Sequence, residues 1–327
     1  MAMRSGNGWV TCEQGHQHWG LFGAAGVLAY APDPEDQAGS LILLQHRAGW
    51  SHQGGTWALP GGAMDSDETP AEAALREADE ECMLDPKLVV PRGMYSEEHG
   101  GWAYHTILAQ AEAPFRVYSD AYESDEVLWV PAGQVDQRDL HPGFAASWPA
   151  LREALLPLTV LVDGGGVVAA RSAPDAAAGP AEAARQLRGQ LTDLARVGIA
   201  ALPGGLAAPA LARWYPDYVL VLDGQAGTAA GDLAPADEAG RARPPARFSW
   251  NEPLVVRTAE VRVVPVADRA QAGDVLAGLA GSTPGRRLVV SDRPEVRERA
   301  AATGAGVAGL SWLLGLLPPG DAPGLDS

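Results

Sequence analysis

The stretch GGAMDSDETPAEAALREADEECML, residues 61–84, gathers Glu68, Glu72, Glu77, Asp79, Glu80 and Glu81 around a single cation, Arg76. Thr69-Pro70 reads as a helix entry, with Thr69 as N-cap and Pro70 at the first helical position. The following AEAALREADEEC is a good helix former. Glu77, Glu80 and Glu81 then stand at i, i+3 and i+4, so they share one face. Three carboxylates on one face repel each other, and Arg76 relieves part of this by pairing with Glu72 or Glu80, each four positions away. A charge run of this kind is commonly a solvated face. The alternative is a site that recruits positive charge, for which hard divalent cations suit carboxylate oxygens.

The charge balance of the chain agrees with the second reading. Net charge is −17 over 327 residues. Residues 1–156 hold 23 acids and 8 bases, a balance of −15, whereas residues 157–327 hold 18 and 16, a balance of −2. So acidic a first half does not grip a phosphate backbone by charge alone, and nucleic acid is not an expected partner. It suits a site that handles small anions through divalent cations. Two cysteines, Cys12 and Cys82, make no disulfide framework. The N-terminal residues lack a signal-peptide core, and GVAGLSWLLGLL (306–317) is too short to cross a bilayer, so a soluble cytoplasmic chain without membrane partners is expected.

The elements that must hold the acidic segment are legible on both sides of it. GAAGVLAY (23–30) and SLILLQHRAG (40–49) read as strands, WALPGGAM (57–64) as a glycine-rich turn, and SDEVLWVPAGQV (124–135) as a closing strand with a short segment after it. In this setting the segment resembles the Nudix box of the Nudix (MutT-like) hydrolases. The box positions here are Gly62, Glu68, Arg76-Glu77, Ala78, Glu80-Glu81, Met83 and Leu84. Every charged position matches at the right spacing. Two positions depart: Ala78 is small for an aliphatic site, and Met83 stands where glycine closes the helix left-handed, at roughly 1 kcal/mol if that geometry is kept.

The resemblance covers about residues 18–155 and implies a Nudix αβα sandwich with a mixed sheet. It implies hydrolysis of a nucleoside diphosphate linked to another moiety, such as an NTP or dNTP, ADP-ribose or a nucleotide sugar, with Mg²⁺ or Mn²⁺. Glu77, Glu80 and Glu81 would be metal ligands, Gly61 would lend its main chain, and Glu68 would support the site. Glu81 would double as base beside Glu80, with Arg76 orienting the glutamates and Glu126 (or Glu123) as an outlying ligand or base. A non-catalytic nucleotide sensor is the blander reading, which the intact carboxylates disfavour.

Other residues near the box could meet substrate. Arg47, His52 and Trp57 lie in HRAGWSHQGGTW (46–57) and could contact phosphate or base. Trp102 and Tyr104 alternate along HGGWAYHTIL (99–108), so on a strand they share a face and could stack on a nucleobase. Core packing is the competing explanation for all three aromatics. CEQGHQHWG (12–20) offers Cys12, His16 and His18, but no second pair with ribbon spacing follows, so a loop or first strand on the sheet is expected rather than zinc.

After about residue 157 the texture changes. The runs LTVLV (158–162), YVLVL (218–222), VRVVPV (261–266) and RLVVS (287–291) alternate with Ala-rich helical stretches at 180–198 and 293–304, which predicts a parallel α/β layer. A boundary is expected near 155–158, giving domains 1–156 and 157–317, a loose loop at 224–249 and a frayed tail at 318–327. The second half resembles a PIN-like (NYN-type, Rossmann-like) nuclease domain. Asp163, Asp274 and Asp292 occupy its acidic positions, while Gly166 and Val275 replace two expected polar residues. That pattern implies a degenerate domain that packs or mediates a homodimer. An RNA-directed protein acting through this half, with the first half as nucleotide sensor, is the rival.

Overall fold

The computed structural model describes residues 5–119, 122–171, 179–224, 226 and 257–318. Most of the expected loop at 224–249 and nearly all of the tail at 318–327 lie outside the described residues. The chain divides into two compact units. The first takes residues up to Leu155 together with Ala208–Trp214, and the second holds the remaining described stretches apart from the short piece ending at Thr258.

The first unit begins with a hairpin, β1 (Trp9–Thr11) and β2 (Gln17–Trp19). Its main sheet contains β3 (Ala24–Pro32), β4 (Ser40–Arg47), β5 (Trp57–Ala58), β6 (Gly61–Ala63), β7 (Val89–Glu98), β8 (Ala103–Ala111) and β9 (Ser124–Pro131). An eighth strand, β11 (Arg213–Trp214), pairs with β7 at the edge. The sheet is mixed, since β3 runs parallel to β8 and antiparallel to β4 and β6. Among the described residues this unit has two α-helices, α1 (Pro70–Cys82) and α2 (Pro142–Glu153).

β3 is buried along nearly its whole length, as a central strand covered on both faces must be. Its odd-numbered residues Ala25, Val27, Ala29 and Ala31 share a core with Ala73, Ala74, Leu75 and Ala78 of α1. Thr69 caps α1 through a reciprocal capping box with Glu72, which satisfies two otherwise orphaned N–H groups. The helix ends at Met83, left-handed at φ 53°, with its N–H on the Asp79 carbonyl and the Leu84 N–H on the Ala78 carbonyl. This is the arrangement glycine would favour; fully buried Leu84 anchors it while the Met83 side chain points outward.

Among the described residues the second unit holds a five-stranded parallel sheet. Its strands are β10 (Leu158–Asp163), β12 (Asp217–Leu222), β13 (Val261–Pro265), β14 (Arg286–Val290) and β15 (Gly306–Ala308), in spatial order β13-β12-β10-β14-β15. Its helices are α3 (Gly164–Arg171), α4 (Pro180–Val197), α5 (Arg269–Ser282), α6 (Pro294–Ala301) and α7 (Leu310–Leu314). Leu161, Val219, Val221 and Val289 of the sheet pack with Leu276, Ala280, Val296 and Ala300. The late apolar segment buries Leu310, Leu313 and Leu317 inside this unit, and among the described residues no helix is long and apolar enough to span a membrane.

Candidate active site

Arg76 is the centre of the acidic segment. Its guanidinium donates to Glu68 through Nε (2.5 Å) and Nη2 (2.8 Å), to Glu77 through Nη1 (2.8 Å) and to the Ala63 carbonyl (3.0 Å). Glu80 accepts a longer bond at 3.4 Å. The expected Glu72 pairing does not form, because Glu72 is engaged by the Thr69 N–H and hydroxyl. Glu68 takes its place because the 65–68 turn folds back over the helix, with the Asp65 N–H donating to Glu68. Burial pulls the Glu68 carboxyl up, but Arg76 and the Asp65 N–H hold it below its usual range. The bond to Glu68 also raises the guanidinium above its ordinary value.

Glu81 lies deeper, 5 % exposed. Its carboxylate accepts the Gly61 N–H at 2.8 Å and the Gln45 side-chain amide at 3.0 Å. Burial pushes it up to about 8, and burial likewise pushes Glu77 to about 7 against the pull of Arg76. Glu80 is raised as well, first by burial. Three buried or half-buried carboxylates pushed upward together form a site short of positive charge. The 61–62 turn fits this cluster closely. A Cβ on Gly62 would lie 2.4 Å from Glu77 Oε2, and one on Gly61 would lie 2.4 Å from Gly26 Cα. Without side chains there, the turn leaves a cradle facing the acids, and an oxygen donor set of this kind fits Mg²⁺ or Mn²⁺.

Glu77, Glu80 and Glu81 line a polar cavity of about 490 Å³ with Asp65, Arg76 and Glu123. Of the two candidates for an outlying acid, Glu123 reaches this cavity and Glu126 does not. The pairing of β4 with β9 shifts between His46, opposite Glu126, and Arg47, opposite Ser124, so Asp125 is the extra residue of a bulge. Glu126 is exposed on the strand, and Glu123 just beyond the bulge raises Glu77 by its charge.

A second cavity of about 330 Å³ adjoins the first, and both are lined by Arg47, Trp19, Gly61 and Gly62. Its walls are aromatic, with Trp9, Trp102, Tyr104, His141 and Phe144 among them. Trp102 stacks on His18 at 4.1 Å and 11°, and its indole N–H donates to the Gly20 carbonyl at 2.9 Å. Trp57 has a packing role instead. It is buried, outside both cavity walls, and Arg138 lies 4.3 Å above its ring. His52 and His141 line the aromatic cavity, and burial, Arg47 and His52 lower His141 to about 4, keeping it neutral.

Gln45 was not singled out by sequence. It hides in an apolar run, 1 % exposed, and links Glu81, the Leu59 carbonyl and the Ser124 hydroxyl. A lone amide inside SLILLQHR was the available signal, because a buried amide must find partners.

The three candidate acids of the second unit, Asp163, Asp274 and Asp292, each have partners within the fold. Asp163 is 2 % exposed and accepts from Arg293 Nε (3.1 Å), the Ser291 hydroxyl (2.8 Å) and the Gly166 N–H (3.2 Å). Asp274 pairs with Arg299 at 2.8 Å, and Asp292 accepts the Leu310 N–H at 2.8 Å. Arg293 supplies the positive charge at Asp163 that a metal ion would bring, so this donor set does not fit a divalent-metal nuclease centre.

The chain matches the model of the NUDIX domain over residues 22–153. Putative 8-oxo-dGTP diphosphatase 3 of Mycobacterium tuberculosis is 45 % identical over 161 residues, which is 47 % of this chain and 72 % of that protein. A nucleoside triphosphate pyrophosphatase/Nudix hydrolase fusion protein of Bifidobacterium longum is 42 % identical over 146 residues, 44 % of this chain and 30 % of that one. Among solved structures, the Nudix hydrolase RenU of M. smegmatis is 48 % identical, with 45 % of this chain and 94 % of that chain covered at a TM-score of 0.43.

Proposed function

This chain belongs to the NUDIX domain family and is a Nudix hydrolase, and on that premise we propose that it is a divalent-metal-dependent pyrophosphohydrolase of purine nucleoside triphosphates. The carrying observation is the joining of a carboxylate cavity to an aromatic one through Arg47 and the Gly61–Gly62 turn. A nucleotide has the same two ends, a polyanion and a flat base. Relatives named as 8-oxo-dGTP diphosphatases support an oxidised guanine nucleotide as the first substrate to try.

In this reading Glu77, Glu80 and Glu81 hold Mg²⁺ or Mn²⁺, with Glu123 at the rim. When bound, the ion neutralises phosphate charge and lowers the pKa of coordinated water. The protein's own groups then do the rest. Arg76 keeps Glu77 and Glu80 aimed at one cavity, since each bond to its planar guanidinium fixes a carboxylate direction. The Gly61 N–H and Gln45 fix Glu81, which is placed to accept the proton of the attacking water. Arg47, shared by both cavities, supplies the cation beside the polyphosphate, and Trp102 and Phe144 exclude water around the base.

The second unit is a non-catalytic companion in this reading, because its three candidate acids Asp163, Asp274 and Asp292 are each engaged within the fold. A panel of 8-oxo-dGTP, the ordinary dNTPs, ADP-ribose and a nucleotide sugar, with Mg²⁺ and products separated by ion exchange, tests the assignment. Release of pyrophosphate and a nucleoside monophosphate from a purine triphosphate is the expected result. Hydrolysis confined to ADP-ribose or the sugar nucleotide would overturn the substrate class.

A further inference from the structure

The N-terminal hairpin carries chemistry the hydrolase reading does not use. The turn joining β1 to β2 is closed by two main-chain bonds, Cys12 N–H to the His16 carbonyl and Gly15 N–H to the Cys12 carbonyl, both 2.9 Å. Gly15 makes the turn possible at φ 82°. This brings Cys12 and His16 together at the mouth of the hairpin. His18, two residues further, returns to the same side as His16, as the period of a strand requires. The ligand atoms of Cys12, His16 and His18 all lie within 4.8 Å of one another. Among the described residues no other trio of His, Cys, Asp or Glu comes so close.

Two of the three groups are in an unusual condition. Cys12 is a free thiol only 6 % exposed. His18 buries its Nε2 with no hydrogen-bond partner. A buried polar atom without a partner is unfavourable by about 1–3 kcal/mol. Ordinary packing of His18 on Trp102 accounts for the ring but leaves that buried nitrogen without a partner. One thiolate and two imidazoles form a borderline-soft donor set, which selects Zn²⁺ over the hard ions suited to the glutamate cluster.

We propose that Cys12, His16 and His18 form a zinc site, separate from the carboxylate centre, that locks the hairpin in place. Three protein ligands leave a fourth tetrahedral position for water. His99, its ring centroid 4.7 Å from that of His18, flanks the site. The ion acts at a distance on substrate binding. Trp9 and Trp19 of the hairpin and His18 itself line the aromatic cavity, and the two indoles meet edge to face at 5.5 Å. Zinc holds that wall together, while the hydrolytic carboxylates approach the substrate from elsewhere.

The test uses the full chain, stripped with a chelator and titrated with Co²⁺ in excess Mg²⁺. Cobalt bound to thiolate gives a sulfur-to-metal charge-transfer band that carboxylates cannot produce. One equivalent of Co²⁺ with this band, displaced by Zn²⁺, is expected for the wild type and for E81Q. Cys12→Ser should abolish the band, and His16→Gln should weaken or abolish it; His16 is exposed, so that substitution leaves the fold intact. In His16→Gln the KM for the best nucleotide should rise about threefold or more while kcat stays within about twofold, the pattern of lost ground-state binding. No band in the wild type, or one unchanged in Cys12→Ser, overturns the proposal. A band in a chain that hydrolyses no nucleotide would leave the zinc site standing and sink the hydrolytic reading instead.

Discussion

Replacing Glu81 with Gln separates its two roles, because the amide keeps an acceptor for the Gly61 N–H while losing the charge. Free of the protein this carboxyl ordinarily titrates at about 4.5, and burial pushes it up to about 8 in the fold. The folded state therefore holds a proton there that the unfolded chain has released. In the metal-free protein, burying the group is unpenalised below about pH 4.5, and stability is lost as pH rises from there to about 8. At about 1.4 kcal/mol per pH unit the ceiling of that loss is about 5 kcal/mol, and relaxation with water entry should leave about half. The Gln variant has no such loss. At pH 9 without metal it should unfold at higher denaturant than the wild type by about 2–3 kcal/mol, and at pH 5 the two should nearly coincide. Mg²⁺ should stabilise the wild type much more than the variant, since a ligand stabilises the state that binds it. Turnover should fall about 10²–10⁴-fold as the proton acceptor is lost. A pH-independent gap between the two proteins, or activity within about tenfold of wild type, would refute this account of Glu81.

Gly62→Ala inserts a Cβ 2.4 Å from Glu77 Oε2; calorimetry should show Mg²⁺ binding weakened about tenfold or more with the thermal midpoint little changed. Met83→Gly relieves a left-handed residue at φ 53° and should raise stability by at most about 1 kcal/mol, offset in part by the looser unfolded chain, as denaturant titration would read. Arg293→Met leaves Asp163 buried and unpaired, so the second unit should lose about 3 kcal/mol or more, and Arg293→Met with Asp163→Leu should recover much of it. A loss below about 1 kcal/mol in the single variant would show that Arg293 does not neutralise Asp163.

What the sequence disclosed was local, and what it hid was long-range. Thr69, Pro70 and Glu72 write the start of α1 within four residues, and the spacing of Glu77, Glu80 and Glu81 follows from the helical period alone. The choice of Glu68 over Glu72 by Arg76 depends on a turn folding back over the helix. Preference for Glu123 over Glu126 depends on a bulge made by two strands nearly eighty residues apart in sequence. Arg293 reaches Asp163 across 130 residues, so the aspartate looked available until its partner was in view. The Cys12, His16 and His18 trio was visible as a composition, but only the closing of the hairpin turn shows that the donors converge.

The two-residue strand β11 has a consequence for anyone wishing to shorten this protein. It is encoded beyond residue 207, yet Arg213 and Trp214 pair with Met94 and Gly93, and Leu211 occupies the space beside Gly93, where a Cβ would fall 2.4 Å from its Cδ1. A gene trimmed after Leu155 would discard this cover and bare the hydrogen-bonding rim of β7. Such a fragment would keep every glutamate of the hydrolytic cluster and still be prone to self-association. Appending residues 208–214 through a flexible tether is the remedy the topology suggests.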